Sequence, residues 1–280
     1  MKLPKGRYNP LRLIYKNYLK IKDPGKSRLS SKVMIDILIP VVAKDLATLP
    51  FVIQAAKRNI NNPIGAIFIV GKKGVIEDYC KKEGYQFLEE DSVLPINKSD
   101  IIYNNQEWFR SGWLFQQLIK LNADEIVQNE NVLILDADTC LARKQSFVLD
   151  DGKFILNYSD EYHFPYSSYN KILLGTGRFY LSFICHHMIF NKAILKKLKE
   201  DIKKATNKNW IEAILHNIDY NESSCFSEYE MYGNYLFYNY PEKVHLEYWN
   251  NKFFNIDLLN TETIEKNIDQ YKSISFHKYS

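Results

Sequence analysis

Apolar positions run almost without a break from Met34 to Val42, interrupted only by Asp36 and Pro40. That is the pattern of a strand covered on both faces. The stretch ATLPFVIQAAKRNI then changes to a helical period, with Thr48 placed to cap and Pro50 in the first turn. A second apolar run, IGAIFIVG at 64–71, predicts another strand, and GVIEDYCKKEG at 74–84 a short helix that stops at a glycine. YQFLEE (85–90) is a third strand candidate, EWFRSGWLFQQLIKLNA (107–123) a long amphipathic helix, and NVLILDAD (131–138) the next strand. Strand and helix alternate, which predicts an α/β fold with a mostly parallel, Rossmann-type central sheet flanked by helices. Ligands bind such sheets beyond the carboxyl ends of their strands.

The second half is less regular. KFILNYS (153–159) and LSFICHHMIF (181–190) have strand character, NKAILKKLKEDIKKA (191–205), NWIEAILHNI (209–218) and the start of SEYEMYGNYLFYNY (227–240) helical character, and 243–249 and 272–280 extended character. No repeat or low-complexity linker divides the chain. The expected organisation is a basic arm over 1–32 and one domain over 33–280. Within that domain, 33–140 forms the nucleotide-binding half and 141–280 a fused acceptor-binding half.

Charge changes this picture at the N-terminus. Residues 1–32 hold ten Lys or Arg and one acid, Asp23, about +9, whereas the whole chain is +4. The body is therefore acidic, and nucleic-acid binding is not expected. In the arm, NPLRLIYKNYLKIK places Leu11, Ile14, Tyr15, Tyr18 and Leu19 at helical spacing, with Arg12, Lys16 and Lys20 on another face. Such a helix either lies on an anionic membrane surface, here through residues 1–28, or packs on its own domain. Four widely spaced cysteines without a CxxC pair argue against a zinc site or a disulfide framework. No apolar run is long enough to span a bilayer, and no signal peptide is visible. The expected location is cytoplasmic, with peripheral attachment to the inner face of the cytoplasmic membrane as the membrane variant.

The chemistry concentrates where VLIL runs into Asp136 and Asp138. Two carboxylates at the mouth of a parallel sheet repel each other unless a cation lies between them. Hard oxygen ligands favour Mn²⁺ or Mg²⁺, which takes one or two carboxylates plus substrate phosphates. A phosphatase of the haloacid-dehalogenase type also ends a strand in D-x-D, but here Thr139 comes one place early for that motif and no later acidic cluster completes it. Sugar-phosphate nucleotidyl transfer shares the sheet and the metal. The segment IPVVAKDLATLP, however, lacks the Gly-rich basic loop of those enzymes. A non-catalytic nucleotide-sugar-binding module is the third alternative.

The motifs W113-x-x-Q116-Q117-x-x-K120-L121, LDADT (135–139), SFICHHMIF (182–190) and FSEYEMYGNY (226–235) together resemble a family of uncharacterised bacterial proteins. Those proteins are regarded as GT-A-like glycosyltransferases and are often encoded among surface-polysaccharide genes. The similar segments run from about residue 34 to 250. The resemblance implies a metal-dependent transfer of a sugar from a nucleotide-sugar, UDP-sugar favoured, to a saccharide or lipid-linked saccharide acceptor. Asp136 and Asp138 would hold the metal, and His277, after the last apparent strand, matches the third ligand that such enzymes recruit. Lys278 would then meet the diphosphate.

The loop from Pro40 and Val41 to Asp45 is expected to meet base and ribose, with Arg110 and Gln116 reaching phosphate or ribose from the Trp-rich helix. Trp108 and Trp113 read as core. An inverting enzyme needs a carboxylate base, and FSEYE offers Glu228 and Glu230. Ser227 with Glu230 spells a capping box, which leaves Glu228 as the better base. Tyr229 and one of His186 and His187, which point to opposite faces of a strand, are candidates for substrate contact.

Overall fold

The computed structural model describes residues 10–22, 31–175 and 180–277. Helix α1 (Pro10–Lys22) leads into strand β1 (Ile35–Pro40), α2 (Leu49–Asn59), β2 (Ile64–Gly71), α3 (Val75–Glu83) and β3 (Gln86–Glu89). A small hairpin, β4 (Ile102–Tyr103) and β5 (Gln106–Glu107), precedes α4 (Ser111–Leu121), the single turn α5 (Ala123–Ile126) and β6 (Asn131–Leu135). Next come β7 (Thr139–Leu141), β8 (Phe154–Tyr158), α6 (Phe164–Leu174), β9 (His187–Asn191), α7 (Lys192–Thr206), α8 (Trp210–Asn217) and α9 (Glu228–Asn239). The last described elements are β10 (Val244–Tyr248), β11 (Asn251–Asn255), α10 (Thr261–Asn267) and β12 (Ser273–His277).

The central sheet has the order β3-β2-β1-β6-β9. Its first four strands are parallel and β9 runs antiparallel to β6. Every residue of β1 and β6 is buried, which accounts for their continuous apolar runs. The charged exception, Asp36, is paired rather than solvated. Its carboxylate accepts hydrogen bonds from the amides of Ala66, Gln128 and Asn129 and from the Asn129 side chain, at 2.7–2.9 Å. This arrangement ties β1 to β2 and to the turn before β6, and satisfies a charge that burial would otherwise make costly. Gly65 permits the close approach, because a Cβ there would stand 2.5 Å from the Asp36 carboxylate.

Helix α4 packs on β1 and α9, while α7 and α9 pack on β9. A second sheet, β11-β12-β7, and the pair β10-β8 extend the molecule beyond the central sheet. The chain from β1 builds outward through β2 to β3, then returns to add β6 on the other side of β1. The carboxyl ends of β1 and β6 therefore diverge at a switch point, where this topology leaves a crevice. The four cysteines are free and buried. No helix among the described residues is long and apolar enough to cross a membrane.

Candidate active site

The crevice is a cleft of about 280 Å³. Pro40, Val42, Lys44 and Asp45 line it from the end of β1, and Asp136, Ala137 and Asp138 from the end of β6. Trp113, Gln116, Gln117 and Lys120 enter from α4, Glu228 and Tyr229 from the first turn of α9, and His186 and His277 from the ends of β9 and β12. The spacing of the α4 residues, i, i+3, i+4 and i+7, is one face of a helix. Leu114, Phe115, Leu118 and Leu121 of the same helix are buried in the core. The W-x-x-Q-Q-x-x-K motif is thus the cleft-facing stripe of an otherwise apolar helix.

Asp136 is held by three protein donors. Its Oδ1 accepts from Lys120 Nζ at 2.6 Å and from the Tyr229 hydroxyl at 2.8 Å. Its Oδ2 faces His186 Nδ1 at 3.1 Å, and its backbone amide donates to the His186 carbonyl at 3.0 Å. Burial alone would raise this carboxyl, but Lys120 and His186 hold it below the usual carboxylate range. Lys120 also lies 2.8 Å from Glu228 Oε1, so one ammonium bridges the buried Glu228 and the partly buried Asp136. His186 bridges two as well, with Nε2 3.0 Å from Glu161 Oε1. Burial opposes its protonation, but the hydrogen bonds to Asp136 and Glu161 outweigh it and raise the imidazole to about 10. Glu228, Lys120, Asp136, His186 and Glu161 form one alternating chain of charges across the cleft floor.

Asp138 lies outside that chain. Burial and the neighbouring Asp136 raise its carboxyl, and burial raises Asp45 likewise. Of the five carboxylates in and around the cleft, Asp136, Glu161 and Glu228 face the bridging cations Lys120 and His186, Asp45 has Lys44 at 3.9 Å, and Asp138 accepts from the Thr139 hydroxyl at 3.2 Å. Asp138 Oδ2 stands 3.5 Å from His277 Nδ1. Two ligands each about 2.1 Å from one ion, at roughly 90–115°, stand about 3.0–3.5 Å apart, so this pair fits a shared divalent cation. Asp136 is more committed: two donors occupy its Oδ1 and one its Oδ2, which leaves about one lone-pair position, on Oδ2. Among the described residues no three His, Cys, Asp or Glu side chains converge as a complete metal cage. Two protein ligands are what Mg²⁺ or Mn²⁺ needs when substrate phosphates supply the rest. The same three donors leave Asp136 poorly placed as a free nucleophile.

The other expected residues divide. Pro40, Asp45, Gln116, Glu228 and Tyr229 line the cleft, whereas Val41 is buried beneath it. Arg110 is not among the lining residues; its Nε donates to the Ser223 carbonyl at 3.0 Å and its guanidinium lies over Trp113. Glu230 is buried and accepts from Ser182 Oγ, the Phe183 amide and the Asn234 side chain. Ser227 caps α9 by accepting from the Glu230 amide, but the Glu230 carboxylate turns to Ser182 and does not complete the box. His187 faces the interior, 2.8 Å from the Cys185 carbonyl, where burial pushes its imidazole down to about 3. His186, with both ring nitrogens engaged, has no free N–H for a substrate hydroxyl. Lys278 lies outside the described residues. Trp108 is in the core as expected, whereas Trp113 is a wall of the cleft. Lys120 and Glu161 had no assigned role in the sequence. The α4 stripe was the signal for Lys120, and nothing local marks Glu161.

No curated protein sequence matches this chain. Among solved structures, the glucosyl-3-phosphoglycerate synthase of Mycobacterium tuberculosis, in complex with Mn²⁺, UDP and glucosyl-3-phosphoglycerate, is 12% identical over 39% of this chain and 34% of that one, with a TM-score of 0.27. The chain thus spans about a third of that protein's length. Galactosyltransferase LgtC, in complex with donor and acceptor sugar analogs, is 12% identical over 86% of this chain and 87% of that one, with a TM-score of 0.43. Likeness at this level fixes neither substrate nor chemistry. A family model described as a family of unknown function (DUF6492) matches residues 69–272, from within β2 to the residue before β12. That span takes in Asp136, Asp138, His186 and Glu228, and the chain belongs to this family.

Proposed function

We propose that the protein is a GT-A-like glycosyltransferase that moves a sugar from a nucleotide-diphosphate sugar, a UDP-sugar in the first instance, to a saccharide or lipid-linked saccharide of a surface polysaccharide or glycolipid. The observation that carries this reading is the cleft at the β1/β6 switch point, where the Asp138–His277 pair and a buried Glu228 face the same space. Asp138 and His277 would hold Mn²⁺ or Mg²⁺, which when bound supplies positive charge against the departing diphosphate. Pro40, Asp45 and Gln116 form the end that receives base and ribose. Glu228 is the base that takes the acceptor hydroxyl proton in an inverting transfer. Burial raises its carboxyl even beside Lys120, which brings a carboxylate base closer to neutral pH. Lys120 fixes its orientation. Tyr229, kept protonated by burial and by Asp136, donates to Asp136 and locks that side chain away from the acceptor.

Thermal melts with UDP test the reading. UDP with Mn²⁺ is expected to raise the melting temperature, and UDP with EDTA to leave it near the ligand-free value. Equal shifts in the two conditions would remove the metal bridge, and no shift in either would remove the nucleotide.

A further inference from the structure

Helix α1 is docked on the body along one edge. It packs on β10, with Tyr15 and Leu19 partly buried against the core and the Tyr15 ring 5.4 Å from Tyr180. Lys16 is ion-paired with Asp160, which also accepts from the Tyr248 hydroxyl at 3.1 Å. The apolar residues expected to share one face are therefore split. Leu11, Ile14, Tyr18 and Ile21, at spacings of three, four and three, form a stripe on the outward side. Their exposures are 63%, 64%, 48% and 86%. Solvated lysines over a packed apolar face would have been the ordinary arrangement of an amphipathic helix; here a lysine anchors the helix and the apolar stripe faces out.

We infer that this stripe is the contact of the protein with an anionic lipid bilayer, and that it holds the cleft beside a lipid-carried acceptor. Charge selects this occupant over a second copy of the chain. Residues 1–32 carry ten Lys or Arg against one acid, while the remainder of the chain is net negative. Anionic headgroups attract the first and repel the second, so the arm is the part of the molecule drawn to the surface. A 13-residue helix is about 20 Å long, too short for a hydrocarbon core of about 30 Å, so it lies in the interfacial plane with its apolar stripe down. The anchor of the helix, Asp160, is next in sequence to Glu161, which holds His186 in the cleft. The bilayer contact is thus built onto the rim of the candidate active site. That the acceptor rides on a lipid rests on the glycosyl-transfer reading; the bilayer contact does not.

Flotation with phosphatidylglycerol-containing vesicles and with pure phosphatidylcholine vesicles tests it on the full chain. Wild type is expected to float with the anionic vesicles only. The double variant Ile14→Asp/Ile21→Asp, at exposed positions, is expected to lose about tenfold or more of that binding while keeping its melting temperature and its UDP-dependent shift. Undiminished vesicle binding by the double variant overturns the inference, as does an absence of binding by wild type. It is also overturned if light scattering shows a wild-type dimer that the double variant breaks, because the stripe would then be a self-association surface. Loss of the UDP shift in wild type with vesicle binding intact would count against the transferase reading alone.

Discussion

His186 gives both ring nitrogens to carboxylates, and does so from a backbone φ of +61°, a conformation few non-glycine residues adopt. Strain of that kind persists where the surroundings over-determine it, and here Asp136 holds the residue by main chain and side chain together. The consequence is a pH dependence with a definite sign. The folded-state value lies at about 10 against an unfolded value near 6.5. Its stabilisation is therefore complete below about pH 6.5 and is lost as pH rises toward about 10. Wild-type melting temperature should fall across that window, and His186→Gln should be less stable at the acid end and flatter through it. Parallel curves for the two proteins would show that no imidazolium is held there. Asp136 and Asp138 were legible as a pair because they are two residues apart. Their different surroundings were not, because what separates them, Lys120 and His186, comes from elements remote in sequence.

At the scale of elements, legibility followed period and length. Strands β1, β2 and β6 and helices α2, α4, α7 and α8 stand close to where the hydrophobic pattern placed them, since each buries a continuous run or a clean stripe. Helix α6 was not anticipated: FPYSSYNKILL mixes aromatic and polar residues without a dominant face. Strands β7 and β11 are three and five residues long and carry no alternation that separates them from loop. The strand expected over 181–190 begins only at His187, because the chain before it is irregular and turns at His186. Nor does an apolar period reveal strand direction, so the antiparallel pairing of β9 had no sequence signal. Helix α9 is buried on all sides from Glu228 to Leu236, which is why its pattern was only half readable. Its fit is tight at Gly233, where an added Cβ would stand 2.7 Å from the Phe183 ring. Gly233→Ala improves helix propensity but overpacks this contact, and a net loss of about 1–3 kcal/mol is expected from the shift in urea midpoint. An unchanged midpoint would mean that Phe183 yields freely.

Over the whole molecule, the order β3-β2-β1-β6-β9 decides where charge accumulates. The switch point brings the ends of β1 and β6 to one crevice, and β12, pairing with β7, delivers His277 to it from the far end of the chain. The amide of Phe276 donates to the Asp138 carbonyl at 2.9 Å, so the two candidate ligands are locked in register by the second sheet. Asp136, by contrast, is anchored to α4, α9 and β9 and serves as the hub that seats Lys120 and His186. The two aspartates should then fail differently. Asp138→Asn and His277→Ala are each expected to weaken Mn²⁺ binding in the presence of UDP by about tenfold or more, read by electron paramagnetic resonance of free Mn²⁺, with little change in melting temperature. Asp136→Asn removes the charge that two partly buried cations share, so its signature should be a lowered melting temperature, with a loss below the about 3–5 kcal/mol of a fully buried pair. If Asp136→Asn instead keeps wild-type stability and abolishes Mn²⁺ binding as completely as Asp138→Asn, Asp136 is a ligand after all. The cation chain across the floor of the cleft would then have to open when the metal arrives.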